Sequence, residues 1–162
     1  MTKPSAFAIR LARAADAGII ARLSRDLIET GLGWTWTPER VLRTLRNPDV
    51  CAIVAGTGHG LAGFAIMEFL AEHAHLSLLA VDRRRQRRGV GKALVDWLEE
   101  SARTAGIGTV YVEARVGNEA ARRFYRALGY RDLFFMPGYY RGVEAAVRMR
   151  HDLRRPAVAP ST

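Results

Sequence analysis

The stretch from Leu78 to Lys92 reads Leu-Leu-Ala-Val-Asp-Arg-Arg-Arg-Gln-Arg-Arg-Gly-Val-Gly-Lys. An apolar strand runs into a turn, and the turn opens an amphipathic helix. The first amides of a helix have no partner within it. The helix dipole adds partial positive charge at the same end. Together they make a ready site for an anion. Gly89 and Gly91 are expected to let a pyrophosphate approach the backbone. Arg87, Arg88 and Lys92 are expected to add full charges. The plainer reading of Arg83 to Arg88 is a solvated basic loop or a nucleic-acid patch. The spacing fits neither G-x-x-x-x-G-K-[ST] nor G-x-G-x-x-G.

A second group of residues carries proton-transfer chemistry. Glu113 lies in the middle of Thr109 to Val116, a run of β-prone residues. There Val110, Val112, Ala114 and Val116 share one face, and Tyr111, Glu113 and Arg115 share the other. A carboxylate inside a central strand is uncommon. It serves either as a base or as an ion-pair partner of Arg115 or another arginine. Tyr125, by residue type alone, reads as a core aromatic beside Phe124. Glu68, Glu72 and His73 form another candidate base cluster near a strand end, where a simple turn is the competing explanation. Cys51 sits in Val50-Cys51-Ala52-Ile53-Val54 and reads as a core cysteine rather than a covalent nucleophile. His59, His73, His75 and His151 show no metal-ligand spacing. Trp34, Trp36, Tyr139 and Tyr140 fall in loop-like segments, as acceptor-wall residues or as packing anchors.

The elements that must position these groups follow from periodicity. Phe7, Ile9 and Leu11 alternate as a strand. Ile19, Ile20, Leu23 and Leu27 recur at helical spacing from Asp16 onward. Thr37-Pro38-Glu39 opens a second helix, which ends before Asn47-Pro48. Val50 to Ala55 and Leu61 to Phe69 form a hairpin around the Gly56 to Gly60 turn. His75 to Val81 is the next strand. The helix after it is expected to carry Val90, Leu94, Trp97, Leu98 and Ser101 on its inner face, with Glu99 mostly elsewhere. Asn118 caps a short helix that Gly129 ends. Two last strands, about Arg131 to Met136 and Val143 to Arg150, are expected to flank Pro137-Gly138. The order is β-α-α-β-β-β-α-β-α-β-β. The strand–helix–strand unit around 75–116 predicts a parallel pair.

These motifs resemble the GCN5-related N-acetyltransferase (GNAT) superfamily. Gln86-Arg87-Arg88-Gly89-Val90-Gly91 is similar to its Q/R-x-x-G-x-G/A signature, and Leu79-Ala80-Val81 to the strand before it. Asn118 through Tyr130 is similar to its N-x-x-A-x-x-F/L-Y-x-x-x-G-F/Y signature. The resemblance covers residues 6–152. It implies a single α/β domain over 1–153, with a mixed and partly splayed sheet and helices on both faces; residues 154–162 hold two prolines and little that could pack, and are expected to form a loose tail. It implies acetyl-CoA as cosubstrate, no metal, and direct transfer to a primary amine. Backbone groups of Leu79, Ala80 and Val81 are then expected to pair with pantetheine. Gln86, Arg87, Arg88, Gly89, Val90, Gly91 and Lys92 are expected to hold the pyrophosphate. Asn118 would contact pantetheine, and Arg126 could reach a phosphate. Glu113 is the expected base and Tyr125 the acid for the leaving sulfur.

Within the superfamily, Val112-Glu113-Ala114-Arg115, Tyr139-Tyr140 and Glu144-Ala145 resemble bacterial enzymes that acetylate the N-terminal alanine of a ribosomal protein. Ala146, Val147 and the Gly31 to Trp36 segment depart from that pattern. The expected acceptor is a peptide or protein N-terminal α-amine. Small-molecule amines are the alternative within the class, and a nucleic-acid module built on Arg83 to Arg88 is the alternative outside it.

The whole chain sets limits. Its 162 residues suit one domain. A net charge of +9 favours anionic partners and disfavours polycationic acceptors. One cysteine permits no internal disulfide. No apolar run reaches a membrane span, and the first residues lack a signal-peptide pattern. A cytoplasmic setting is expected.

Overall fold

The computed structural model describes residues 6–154. The tail expected over 154–162 therefore lies outside the described residues, Arg154 apart. Seven strands and four α-helices alternate in the expected order: β1 (Ala8–Leu11), α1 (Ala17–Leu27), α2 (Pro38–Leu45), β2 (Val50–Thr57), β3 (Gly60–Phe69), β4 (Ala74–Val81), α3 (Val90–Thr104), β5 (Thr109–Arg115), α4 (Glu119–Ala127), β6 (Arg131–Tyr140) and β7 (Glu144–Asp152). The sheet order is β1-β2-β3-β4-β5-β7-β6. Every neighbouring pair is antiparallel except β4 with β5.

That one parallel pair is short. It joins only Ala74 to Val110 and His75 to Tyr111. Beyond His75 the two strands part, so β4 from Ser77 to Val81 has no strand partner on that side. A bulge at Ser77 adds a second change: Met67 pairs with Leu76, but Ile66 pairs with Leu78. One extra residue reverses which side chains face which layer. Ala74 and Leu76 pack with Val90, Leu94 and Leu98 of α3. Leu78 and Ala80 instead pack with Ile20 and Val41 of α1 and α2. The sheet thus separates two cores, and the splay between β4 and β5 opens a cleft.

Local signals set the helix ends. Thr37 accepts a hydrogen bond from the Arg40 amide, and Pro38 follows it. Gly129, at φ 101°, ends α4. The inner face of α3 differs from expectation. Trp97 is 36% exposed, whereas Glu99 is 3% exposed. Glu99 is buried because Tyr130 Oη donates to it at 2.9 Å and His151 Nδ1 lies 2.7 Å away. These partners come from distant segments, and local periodicity does not reveal them.

The last hairpin also differs. Pro137-Gly138 does not turn the chain; β6 continues through both to Tyr140, and the turn falls at 141–143. As the outermost strand, β6 tolerates a proline. Pairing with β7 breaks between Met136 and Tyr140. Gly142 N donates to Gly138 O at 2.8 Å. A Cβ on Gly138 would stand 3.3 Å from Gly142 Cα, so the close approach needs glycine.

Candidate active site

A cleft of about 900 Å3 opens where β4 and β5 separate. Its floor is the parted strands. One side is the loop between α1 and α2, and the other is the β6–β7 hairpin with the start of α4. Leu79, Glu113, Asn118, Tyr125, Tyr139 and Tyr140 all line it. Sequence positions far apart are thus brought to one place. Glu68, Glu72 and His73 are not among the lining residues.

Glu113 occupies the floor, with its side chain 4% exposed. Arg148 Nε and Nη2 donate to its Oε1 at 2.9 and 2.5 Å. His75 Nε2 meets its Oε2. The strand register explains this triplet: Glu113 lies opposite Arg148 on β7, and His75 pairs with Tyr111 on the adjoining strand. Burial pushes the Glu113 carboxyl up, but the hydrogen bonds and charges of His75 and Arg148 outweigh it and hold it below the usual glutamate value. The sequence named Glu113 and the option of an arginine partner, but Arg115 pairs with Glu144 instead, Arg148 takes that place, and His75 was missed. Their signal was the strand alternation itself, once β4, β5 and β7 are known neighbours.

Tyr125 is 7% exposed, packed edge-on against Phe124 and Tyr130 with centroids 5.2 and 5.5 Å away. Burial chiefly, then the charges of Tyr140 and Glu113, raise its phenol far above the ordinary value. It is therefore a neutral O–H donor throughout the physiological range. Tyr139 and Tyr140 meet edge to face at 88° on the hairpin side, and burial raises both phenols.

At the α3 entrance, Gly89 takes φ 81° and no side chain caps the helix. Arg87 also has positive φ, at 63°. Gln86 Nε2 ties the loop back to Val81 O at 3.1 Å, and Asp82 accepts from the Arg84 amide. The turn presents the free amide end of α3. Three of the expected groups also have partners within the protein. Gly91 is a packing glycine: a Cβ would stand 3.1 Å from Phe124 Cζ and 3.6 Å from Val81 Cγ2. Lys92 pairs with Asp96 at 2.6 Å, one helical turn on, rather than facing the loop. Arg126 is bonded to Asp132 at 2.7 Å. Asn118 lines the cleft, but its side-chain oxygen accepts from the Ala121 amide to cap α4.

The tryptophans divide. Trp36 lines the cleft beneath Arg40, 3.9 Å from its ring centroid. Trp34 does not line it; Nε1 donates to Ala21 O at 3.2 Å, with Arg25 over the ring. Trp34 is a packing anchor. Glu29, which the sequence did not single out, organises this loop. Its carboxylate accepts from Thr35 Oγ1, from the amides of Thr35 and Trp36, and from Ser24 Oγ at 3.0 Å. Cys51 is half-buried against the core, as expected, and burial raises its thiol. No cluster able to hold a metal occurs, and no helix is long and apolar enough to cross a membrane, among the described residues.

Comparison with known proteins agrees with this geometry. The chain is 36% identical over 92 residues to the [ribosomal protein bS18]-alanine N-acetyltransferase of Salmonella typhimurium, covering 55% of this chain and 62% of that one. It is 32% identical over 127 residues to the N-alpha-acetyltransferase RimI of Mycobacterium tuberculosis, covering 75% and 78%. The match to the Salmonella relative thus spans less than two thirds of that protein. Among solved structures, Ard1 from Thermoplasma volcanium superposes with a TM-score of 0.82 at 25% identity, over 93% of this chain and 99% of that one. The acetyltransferase (GNAT) family model matches residues 20–130, and with the splayed sheet and the uncapped α3 entrance it shows that the chain belongs to the GNAT acetyltransferase family.

Proposed function

We propose that this protein transfers the acetyl group of acetyl-CoA to the α-amine at a peptide or protein N-terminus. The observation that carries this is the cleft, which leads between two loop walls to Glu113 and Tyr125. Its aromatic and hydrogen-bonding walls suit an extended chain end. The names of the Salmonella and Mycobacterium relatives support the same acceptor class.

The residues present fit the cosubstrate. The uncapped α3 end, with Gly89 in the left-handed region, suits a pyrophosphate. The edge of β4 at Leu79 to Val81, which among the described residues has no strand partner and carries only the Gln86 hydrogen bond to Val81 O, offers backbone groups to a pantetheine arm. Acetyl-CoA supplies the activated acetyl carbon and a thiol leaving group.

The chain's own groups handle the protons. A peptide α-ammonium has a pKa of about 8, so one proton must leave it before attack. Glu113, held ionised between His75 and Arg148, is the proton acceptor, directly or through a water. Its depressed pKa makes it a weak base alone. Tyr125, protonated at rest, delivers its O–H proton to the leaving sulfur, and the proton that the amine nitrogen loses after attack replaces it on the phenol.

The test is mass spectrometry of acetyl-CoA reactions with three acceptor sets. These are peptides with free α-amines, the same peptides α-blocked but lysine-bearing, and small amines such as amino acids and polyamines. A duplex oligonucleotide serves as a binding control. Acetylation confined to free α-amines is expected. Turnover confined to small amines would overturn the N-terminal reading, and oligonucleotide binding without turnover would restore the nucleic-acid one.

A further inference from the structure

We infer that Arg115 is the positioning residue that joins the two walls of the acceptor cleft. The inference rests on the acceptor assignment above for its kinetic consequence, but its structural basis is independent.

Arg115 ends β5, opposite Ala146 of β7. Its guanidinium reaches both walls. Toward the α1–α2 loop, Nη2 donates to Ile28 O at 2.6 Å and Nη1 donates to Thr30 O at 2.9 Å. Toward the β6–β7 hairpin, Nη1 lies 3.4 Å from Glu144 Oε2. The guanidinium carbon also sits 5.6 Å from the Tyr140 ring centroid. Its side chain is 21% exposed, so solvent competes only partly. Among the described residues, Arg115 is the one side chain from outside the α1–α2 segment that hydrogen-bonds this loop.

The chemistry requires arginine. Ile28 is the cap residue at the end of α1, where unpaired carbonyls carry the negative end of the helix dipole. A planar guanidinium presents N–H groups in a fixed fork, so it can bridge two carbonyls and a carboxylate while its face rests on a ring. An ammonium satisfies fewer of these together. Between the two bound carbonyls, Glu29 turns its carboxylate inward and folds residues 35 and 36 around it. Glu29 therefore shapes the loop from within, and Arg115 sets where the shaped loop stands against the hairpin. Arg141 makes a weaker contact at the rim, resting against Gly33. A Cβ there would stand 2.8 Å from Arg141 Nη1. The distance between the walls, and hence the channel for an acceptor chain, follows from the Arg115 clamp.

The experiment combines hydrogen exchange on the protein alone with steady-state kinetics on a peptide that the wild type acetylates. Arg115→Met and Arg115→Lys are compared. Arg115→Met is expected to speed exchange at 28–36 and 138–144 while leaving 86–92 unchanged. It raises peptide KM about tenfold, the scale of one lost hydrogen bond to a charged group. The effect on kcat is smaller, and acetyl-CoA affinity is unaltered. Arg115→Lys restores part of the KM. Unchanged exchange in both walls overturns the inference. So does a fall in kcat with no change in KM, or a loss of acetyl-CoA affinity in both variants. The exchange arm needs no acceptor. If the wild type acetylates no peptide, the N-terminal assignment fails while the exchange result still decides on Arg115.

Discussion

Toward α3, the groups proposed for the cosubstrate belong mainly to the backbone: the free end of α3 behind Gly89 and the edge of β4 that lacks a strand partner. On the opposite side they are side chains held by other side chains. Glu113 is held by His75 and Arg148, the α1–α2 loop by Glu29 and Arg115, and Tyr140 lies under the Arg115 guanidinium. A backbone site is specified by a short run of sequence, because glycine positions and helix starts are local. A side-chain site is specified by strand register and long-range pairing. The first kind suits a constant cosubstrate, and the second can be retuned for different acceptors without disturbing the first.

If the two sides are separable in this way, the largest effect should come from a group that acts between them. Tyr125→Phe removes one oxygen from a residue that is already 7% exposed, with little change in packing. Turnover is expected to fall by about a hundredfold or more, the usual scale for a lost acid. Acetyl-CoA affinity should stay within about twofold, since uniform binding is untouched. Rapid-mix kinetics beside equilibrium titration checks both. Equal turnover in the variant would leave Tyr125 a packing residue and remove the bridge between the two sides.

The same division explains what was legible in the sequence. The order of elements, the start of α3, the cap at Asn118 and the facing of Glu113 all follow from patterns a few residues long, and the structure bears them out. The β-turn expected at Pro137-Gly138 fell instead at 141–143, because edge position decides what a proline does and edge position is a property of the whole sheet. Glu99 was misplaced because its partners lie 31 and 52 residues away. Trp34 and Trp36 look equivalent in the sequence, but only their distant neighbours tie Trp34, 38% exposed, to the α1 backbone and set Trp36 between the second core and the cleft. Gly91 belongs to the phosphate motif and also lets Phe124 of α4 pack against α3, a contact that the motif does not reveal.

Gly89 and Gly91 give the next sharpening of the comparison. A Cβ on Gly91 would press on Phe124, so Gly91→Val should destabilise the fold by about 1–3 kcal/mol through overpacking. At this chain length that is a fall in Tm of roughly 2–12 °C. Gly89 has open space around it, so Gly89→Leu meets only the strain of its left-handed backbone, about 1–2 kcal/mol. Its side chain would instead stand at the phosphate entrance. The expected outcome is a Kd for acetyl-CoA raised about tenfold or more, with a smaller stability loss than the overpacking extreme. Calorimetry with and without acetyl-CoA separates the two. Unchanged affinity in Gly89→Leu would remove the backbone cradle from the cosubstrate side.

The smallest effect concerns the acceptor side in the absence of any ligand. The carboxyl of Glu113 is held below the usual glutamate value in the folded protein. A depressed folded value means that its ion pairs add stability above the unfolded pKa, about 4.3. That stability is lost as pH falls through the lower folded value. Glu113→Gln keeps a hydrogen-bond acceptor but removes the charge that His75 and Arg148 face. Both partners are about 30% exposed, so solvent screens part of the loss. The variant is therefore expected to be less stable than the wild type at pH 7 by about 1–2 kcal/mol. The gap should narrow below about pH 4.3, as the wild-type carboxyl takes up its proton. Urea unfolding across pH 3–8 measures that gap directly. A constant difference at every pH would mean that the triplet holds its shape without charge, and that Glu113 is not the ionised group the proton-transfer scheme requires.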